Sequence, residues 1–367
     1  MNKGLLYKEL EEWYEKHHRI LPWRDTDDPY KIWISEIILQ QTRVAQGMEY
    51  YHRLITRFPD IQSLADAEED EVLLYWQGLG YYSRARNLHK AAQLMKNHEI
   101  FHQAMRLLGD KAMRRKVKGE EIFAALKSMP GVGDYTAGAI ASFAFDLPYP
   151  ALDGNVYRVL SRLYDCEIAF DTTQGKKHFR KLAEDLLDRE HPRLFNSAIM
   201  ELGALHCVPT TPDCPTCPLN TWCKALANNT VELLPVRKPR PKVRDRYLEY
   251  TIYLTPERTT LIHQRKGNDI WKHLWEFVCA ERTGEEAIRR KAPHKATSFV
   301  GDPAKARGER TVELTHVLSH QKLHARFVIK NVSELPEIPD TLVVSLSDLD
   351  NYAFSRLTLR AIEELEL

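Results

Sequence analysis

The 367-residue sequence contains no run of eighteen consecutive apolar residues, so it offers no segment for a membrane-spanning helix. It also lacks a net charge of one sign, because 52 Lys and Arg residues are balanced by 51 Asp and Glu. Overall charge therefore gives no general signal for nucleic-acid binding, although a local basic patch would suffice. The N-terminus has neither an apolar signal core nor an Arg/Ser-rich transit segment. We expect a reducing intracellular compartment, in which six cysteines do not form a disulfide framework.

Two different periodicities divide the chain. Helical spacing dominates the first 228 residues, with helices predicted over 5–18, from about Tyr30 through Val44, over 155–163, and at about 174–189 and 193–205. Residues 229–246 are rich in proline and basic residues, which predicts an extended linker. Beyond the linker, a period of two predicts strands over 247–254, 259–265, 274–280, 312–318 and 323–330, and a final helix starts near Phe354. The basic stretch 99–121 is interpreted as a surface insertion, with a DNA contact as the weaker alternative.

The stretch from Leu126 to Asn155 is the most informative part of the sequence. Pro130 ends one helix, and Gly131 and Gly133 flank a single apolar residue before a second helix begins near Thr136. An open glycine loop in front of a helix N-terminus is a favourable phosphate site, since unpaired N–H groups and the helix dipole both attract an anion. This is the form of a helix-hairpin-helix clamp for a DNA backbone. An ordinary packing corner between two helices is the alternative.

Two acidic residues are candidates for acid–base chemistry. Glu36 lies within an apolar run that includes Trp33, Ile34 and Ile37, so we expect a poorly solvated carboxyl with a raised pKa, as a general acid requires. A position on the exposed face of the helix is the structural alternative. Asp153 follows the glycine hairpin, and helix capping is the simpler explanation for an Asp there.

Four cysteines lie close together in the pattern Cys207-x6-Cys214-x2-Cys217-x5-Cys223. Thiolates at this density in a reducing compartment bind a soft metal centre. The spacing alone leaves both zinc and an iron–sulfur cluster open. Cys166 and Cys279 lie outside the set and are interpreted as core residues.

With these motifs in view, the chain resembles the adenine DNA glycosylase (MutY) family of the endonuclease III helix-hairpin-helix superfamily. Residues 1–225 carry most of the resemblance. The matching motifs are Leu21-Pro22-Trp23-Arg24, Ser35-Glu36 with Gln40-Gln41-Thr42, Gly78-Leu79-Gly80-Tyr81-Tyr82, the glycine hairpin, Asp153-Gly154-Asn155-Val156, Glu201-Leu202-Gly203-Ala204 and the four cysteines. The C-terminal third matches more loosely, through Leu274 to Phe277 and Leu318-Ser319-His320.

The resemblance implies an all-α glycosylase fold followed by a C-terminal α+β Nudix-like domain. The helical region, 1–228, would comprise a six-helix module of about 23–135 and a cluster-bearing module of 1–22 and 136–228. It further implies a [4Fe–4S] cluster on the four cysteines and removal of adenine opposite 8-oxoguanine or guanine in double-stranded DNA. The resemblance also implies a monomer that does not bind a membrane. Such a protein would be located in the bacterial cytoplasm, associated with the nucleoid.

Roles for individual residues follow from the same resemblance. Glu36 would protonate adenine N7, and an ionised Asp153 would stabilise the sugar cation, with Tyr135 and Asn155 supporting the transition state. The DNA contacts would be made by Trp23 and Arg24 in the adenine pocket, Gln41 and Tyr81 within the duplex, Gly131 and Gly133 on the backbone, and Ser319 and His320 on 8-oxoguanine.

Tyr135 distinguishes between related branches of the superfamily. The bifunctional branch has a lysine nucleophile at this position, and a tyrosine cannot form an imine. We therefore predict a monofunctional glycosylase. A non-catalytic mispair-binding protein and an oxidised-pyrimidine glycosylase/lyase are the competing hypotheses.

Several positions depart from the family pattern. Ser197 replaces a longer Glu or Gln, Leu318 replaces a Phe, and no basic residue lies between the first two cysteines. The C-terminal domain lacks the Arg-Glu-x-x-Glu-Glu segment that would bind Mg²⁺. We therefore expect this domain to recognise DNA and not to hydrolyse nucleotides.

Overall fold

The computed structural model describes residues 2–96, 119–239, 242–282 and 310–367. The chain forms two compact units, one of Met1–Asp66 with Asn87–Pro239 and one of Ala67–Arg86 with Arg240–Leu367. Within the described ranges, no helix has the length and apolar character needed to cross a membrane. Residues 99–118 of the predicted insertion lie outside the described residues, and its last three residues, 119–121, begin a helix.

The described part of the first unit is helical. Its helices are α1 Lys3–His17, α2 Pro29–Ile38, α3 Val44–Arg57, α4 Ile61–Asp66, α7 Gly119–Ser128, α8 Asp134–Phe145, α9 Gly154–Tyr164, α10 Thr173–Leu186, α11 Pro192–Leu205 and α12 Lys224–Ala227. Helix α5, Glu69–Trp76, belongs to the second unit, and the boundary between the units falls within α6, Ser83–Met95.

Local sequence explains where several of these helices begin. The Asp28 side chain caps α2 by accepting from the N–H groups of Tyr30 and Lys31, and Pro29 occupies the first helical position. Thr172 caps α10 in the same way. One prediction was wrong, because the helix from about Tyr30 does not continue to Val44. It ends at Ile38, and Gln41 takes a left-handed conformation with φ of 59° before α3 begins.

Helix α8 forms the centre of the first unit. Every residue from Thr136 to Phe145 is buried, and α8 packs against α2, α7 and α11. Its small residues allow the close approach that the sequence predicted. A Cβ on Gly138 would lie 2.4 Å from the carbonyl oxygen of Pro150, so only glycine fits against the strand-like segment leading to Asp153.

The second unit contains a six-stranded mixed sheet in the order β4-β5-β1-β3-β2-β6. The strands are β1 Arg244–Leu254, β2 Thr259–Gln264, β3 Trp275–Arg282, β4 Thr311–Val317, β5 Gln321–Asn331 and β6 Thr341–Ser345. Strands β1 and β5 pair in parallel, whereas the other neighbours are antiparallel. Helix α13, Arg356–Leu365, packs on the sheet through Leu357, Ala361 and Leu365.

The sequence predicted five of these six strands. Alternating burial is visible along β1, whose buried side chains include Leu248, Tyr250 and Ile252. Strand β1 starts at Arg244, three residues before the predicted start, and β6 was missed. Its sequence, Thr-Leu-Val-Val-Ser, is short, and only Val344 is buried at this sheet edge.

Candidate active site

A cleft of about 890 Å³ opens in the first unit. Nine of the predicted site residues line it: Trp23, Arg24, Glu36, Gln41, Gly131, Gly133, Tyr135, Asp153 and Asn155. They come from α2, α8, α9 and the connections beside them. Its volume lies within the range of about 300–1,000 Å³ that is usual for small-molecule sites.

Glu36 is nearly completely buried, with 2% of its surface exposed. Burial raises the pKa of its carboxyl, and the nearby negative charge of Asp153 acts in the same direction. The positive charge of Arg24 and a 2.6 Å hydrogen bond from the Tyr135 hydroxyl to Oε2 oppose this rise. The net shift is upward, so the prediction of a poorly solvated acid with a raised pKa is confirmed.

Tyr135 is the second residue of α8, where it follows the glycine hairpin. Burial raises the pKa of its phenol well above the ordinary value, and the neighbouring Glu36 and Asp153 carboxyls add to the effect. The phenol therefore stays protonated and donates to Glu36.

Asp153 is the N-cap of α9, and its Oδ1 accepts from the Val156 N–H at 2.7 Å. Oδ2 accepts from the Asn155 side-chain amide at 2.8 Å. Burial raises the pKa of the Asp153 carboxyl, and the net shift is upward, although these hydrogen bonds and the charge of Arg158 oppose it by favouring the ionised form. Capping and lining the cleft are thus compatible for this residue, because the helix N-terminus holds the carboxyl at the cleft wall.

Asn155 is itself held from behind by Arg158. Nη2 of the buried Arg158 guanidinium donates to Asn155 Oδ1 at 2.9 Å and to the Gly203 carbonyl at 2.6 Å. Nε of the same group donates to the Cys207 carbonyl at 2.6 Å. Gly203 is required here, because a Cβ would lie 2.8 Å from the Asn155 Cβ. Sequence reasoning did not identify Arg158, whose partners lie up to 49 residues away.

The remaining cleft residues provide aromatic and polar walls. Trp23 is 3% exposed, and its ring packs edge to face against that of Tyr51, with 5.2 Å between the ring centroids. This packing leaves little freedom for the Trp23 ring. The Arg24 guanidinium lies 4.1 Å from the centroid of the Phe143 ring. Gln40, which the sequence motif includes without a role, donates to the Thr136 hydroxyl at 3.1 Å and so ties the segment after α2 to the start of α8.

The glycine hairpin forms one rim of the cleft. Gly131 has φ of 80°, and a Cβ there would lie 2.9 Å from Asn87 Cβ, so glycine is needed on both counts. Gly133 differs, since it is the N-cap of α8 with φ of −89° and nothing near its missing Cβ. Lys176 and Arg180 of α10 also line the cleft, and both escaped the sequence analysis.

The other three predicted DNA contacts belong to the second unit. Tyr81 is 47% exposed on the loop before α6. Ser319 and His320 are exposed between β4 and β5, and the Ser319 hydroxyl lies 3.2 Å from His320 Nδ1. The structure thus brings nine predicted residues together and assigns these three to a different compact unit.

The cysteine set forms a separate cavity in the first unit. Cys207, Cys214, Cys217 and Cys223 all carry free thiols and line this cavity together with Arg162 and His206. Arg162 Nη1 donates to Cys207 Sγ at 3.3 Å. Within the described ranges, no three His, Cys, Asp or Glu side chains come together as a site for one metal ion. Four thiols around a common cavity are the soft donor set that a thiolate-bound metal centre would need.

Known protein families and individual relatives match this chain over both of its units. Residues 34–188 match the HhH-GPD superfamily of base excision DNA repair proteins, and residues 250–364 match the NUDIX domain. An adenine DNA glycosylase from Buchnera aphidicola subsp. Baizongia pistaciae is 35% identical over 282 residues, which cover 76% of this chain and 74% of the relative. The adenine DNA glycosylase of Rattus norvegicus is 33% identical over 373 aligned residues, which cover 86% of this chain and 68% of the relative.

A structural neighbour supports the fold of the helical part. The solved structure of a thermostable thymine-DNA glycosylase aligns with a TM-score of 0.51 and 24% identity, covering 62% of this chain and 97% of the neighbour. The sequence matches identify the family and not only the fold. They extend over both units, and they include relatives that are matched over most of their length. The chain therefore belongs to the adenine DNA glycosylase (MutY) family, and it is a DNA glycosylase of the helix-hairpin-helix fold with a C-terminal Nudix domain.

Proposed function

We propose that this glycosylase removes adenine mispaired with 8-oxoguanine or guanine, by acid-assisted hydrolysis of the N-glycosidic bond after the adenine has flipped out of the duplex. The observation that carries the proposal is that Glu36 and Asp153 line one cleft, with Tyr135 hydrogen-bonded to Glu36. Flipping a base costs a few kcal/mol, and less for a mispaired base, which contributes to selectivity.

Glu36 is the general acid of the proposed mechanism. Adenine is a poor leaving group as an anion, and protonation at N7 lets it depart as a neutral base. Burial keeps a proton on Glu36 at higher pH than an exposed glutamate would retain it. The Tyr135 hydroxyl fixes the carboxyl orientation and stabilises the carboxylate that remains after proton transfer.

Asp153 stabilises the positive charge that develops on the sugar and helps to deliver the attacking water. Burial raises the pKa of this carboxyl, and the Val156 N–H, the Asn155 amide and the charge of Arg158 counteract that rise by favouring the ionised form that the role requires. Two carboxyls with separate tasks, one protonated and one charged, are the arrangement that glycosidases use. A protein that only bound mispairs would gain nothing from two carboxyls beside the DNA backbone.

The DNA is bound by the other predicted residues. We propose that Gly131 and Gly133 clamp a phosphate at the N-terminus of α8, and that Trp23 and Arg24 line the adenine pocket. Gln41 and Tyr81 fill and wedge the duplex where adenine leaves it, and Ser319 and His320 recognise 8-oxoguanine. The helical region of 1–228, the linker of 229–246 and the recognition domain of 247–367 then divide these tasks between catalysis and recognition. The enzyme needs only one copy of the chain, since these residues all belong to it.

The four cysteines would hold a [4Fe–4S] cluster, with Arg162 donating to the Cys207 sulfur. A cluster bound there would stabilise the loops 207–223, which carry little regular structure of their own. An iron and sulfide assay on the purified protein tests this assignment. We expect Cys217→Ser to lose iron and Cys279→Ser, outside the cavity, to retain it. Zinc in place of iron would contradict it.

A glycosylase assay tests the function. The purified chain is incubated with duplexes that contain A:8-oxoguanine, A:G or an oxidised pyrimidine, and each product is analysed with and without alkali. We expect adenine release from the first two duplexes and strand breaks only after alkali, because Tyr135 cannot form an imine. Strand breaks without alkali, or release of the oxidised pyrimidine, would favour the glycosylase/lyase hypothesis.

A further inference from the structure

Residues Ala67–Arg86 form a compact unit with the C-terminal domain. The first turn of α5 is bound to the C-terminal domain by two contacts. Glu69 contacts His273 of the β2–β3 connection at 2.5 Å, and Asp70 accepts from Gln264 of β2 at 2.8 Å. At the other end of the segment, Arg86 donates to the Lys272 carbonyl at 2.7 Å. The segment is therefore anchored at both ends.

Between these anchors, one residue of the C-terminal domain holds both flanks of the Gly78–Tyr81 loop. The Phe354 N–H donates to Gln77 Oε1 at 2.7 Å, and the Phe354 carbonyl accepts from the Tyr82 hydroxyl at 3.2 Å. Phe354 is 1% exposed and forms a β-bridge with Trp275, so its backbone is a rigid support. The two flanking side chains are thus fixed to the core of the domain.

The loop itself has an unusual backbone. Gly78, Gly80 and Tyr81 all have positive φ, of 95°, 74° and 47°. A left-handed tyrosine is uncommon and persists only where its surroundings determine it. The Tyr82 hydroxyl contributes directly, because it also accepts from the Gly78 N–H at 3.1 Å. The exposed Tyr81 ring is consequently held out on a loop whose shape depends on Tyr82.

We propose that Gln77 and Tyr82 are positioning residues through which the C-terminal domain sets the orientation of Tyr81 in the DNA. The inference rests on the proposed role of Tyr81 as a wedge in the duplex. It adds a task to the C-terminal domain, which then supports the wedge from behind as well as reading the opposite base. Loss of either hydrogen bond to Phe354 lets the loop relax towards ordinary backbone conformations.

A double-mutant cycle in the full-length chain tests the inference. Tyr82→Phe, Tyr81→Ala and the double variant are compared by single-turnover release of adenine opposite 8-oxoguanine and by fluorescence of a 2-aminopurine beside the mispair, which brightens when the wedge unstacks it. We expect Tyr82→Phe to slow release at least about fivefold and to dim the fluorescence, because it removes both hydrogen bonds of the hydroxyl and even one of them has a net contribution of that size. In the Tyr81→Ala background, the same change should alter release less than twofold.

Matched controls exclude a general loss of stability. Tyr253→Phe removes a phenol hydroxyl from β1 of the same unit and should leave both signals unchanged. Gln77→Glu keeps an acceptor for the Phe354 N–H and should leave the release rate unchanged, whereas Gln77→Met removes this hydrogen bond and should slow release about fivefold. Equal losses from Tyr82→Phe in both Tyr81 backgrounds would overturn the inference and leave the proposed function intact. A Tyr81→Ala variant with unchanged release would overturn the wedge role itself.

Discussion

The Tyr135 hydroxyl donates to Oε2 of Glu36 at 2.6 Å, across 99 residues of chain. The contact joins α2 to the start of α8, directly behind the glycine hairpin. A phenol in this position stabilises the carboxylate form of Glu36, whereas burial destabilises it. The acid is therefore protonated more readily than an exposed glutamate, and it can still give up its proton to a base.

The first prediction concerns Glu36 as the acid. Glu36→Gln keeps the shape of the side chain and removes the proton that would be transferred. We expect adenine release to slow by at least about 100-fold, the lower end for general acid catalysis, with binding to an A:8-oxoguanine duplex retained. Single-turnover kinetics and a binding titration measure the two effects. Glu12→Gln makes the same change on the exposed face of α1 and should have no effect on either measurement. Undiminished release by Glu36→Gln would remove this residue from the mechanism.

The second prediction concerns the pH dependence of the rate. The hydrogen bond from Tyr135 lowers the pKa of Glu36, so Tyr135→Phe should raise it further. Because the protonated acid is the active form, the rate of adenine release falls as the pH rises through this pKa. In Tyr135→Phe, we expect a slower maximum rate and an alkaline limb displaced to higher pH. A limb displaced to lower pH, or one that does not move, would show that Tyr135 acts on another group.

Stability gives an independent measure of the same pKa. A buried Glu36 whose folded pKa is raised contributes stability that is fully present below its unfolded pKa of 4.5 and is lost as the pH rises through the folded pKa. The side-chain amide of the Glu36→Gln variant does not titrate. The apparent Tm of the unmodified chain should therefore fall relative to that of Glu36→Gln over the window from about pH 4.5 up through the raised folded pKa. A difference that is constant over this window would mean that Glu36 titrates as an exposed carboxyl.

Alanine substitutions at two glycines, Gly138 and Gly133, test packing and DNA binding independently. Gly138→Ala places a Cβ 2.4 Å from the Pro150 carbonyl oxygen and should cost roughly 1–3 kcal/mol of unfolding free energy, measured in urea. Gly133→Ala meets no atom within 4 Å and has an ordinary φ of −89°, so its stability should be unchanged. Its methyl group would lie on the cleft rim, and we expect weaker duplex binding. A stable Gly138→Ala variant would mean that the segment before Asp153 is free to shift.

Local signals in the sequence were sufficient for much of the fold and for part of the site. Asp28-Pro29 marks the start of α2, and alternation along β1 predicts its buried face. The apolar neighbours of Glu36 correctly predicted its burial, because they surround it on its own helix. The break after Ile38 was not predictable in this way, since residues 39–43 contain neither proline nor glycine.

Long-range contacts account for what the sequence did not reveal. In the sequence, Arg158 looks like an ordinary charged residue of an amphipathic helix. Its role in holding Asn155 depends on hydrogen bonds to the carbonyl groups of Gly203 and Cys207. The grouping of Ala67–Arg86 with the C-terminal sheet depends on contacts such as Gln77 to Phe354, 277 residues apart. No periodicity within a helix encodes partners at such distances.

The last prediction concerns recognition of the base opposite adenine. Ser319 and His320 lie at the exposed turn between β4 and β5, where their loss disturbs little packing. If they bind 8-oxoguanine, the double variant Ser319→Ala/His320→Ala should lose preference for A:8-oxoguanine over A:G and keep the A:G rate. The change in preference should be about tenfold, since two polar contacts to a base contribute about 1–3 kcal/mol. Ser347→Ala, an exposed serine elsewhere in the same unit, serves as the control. An equal loss of rate on both duplexes would mean that the turn binds the DNA backbone without reading the base.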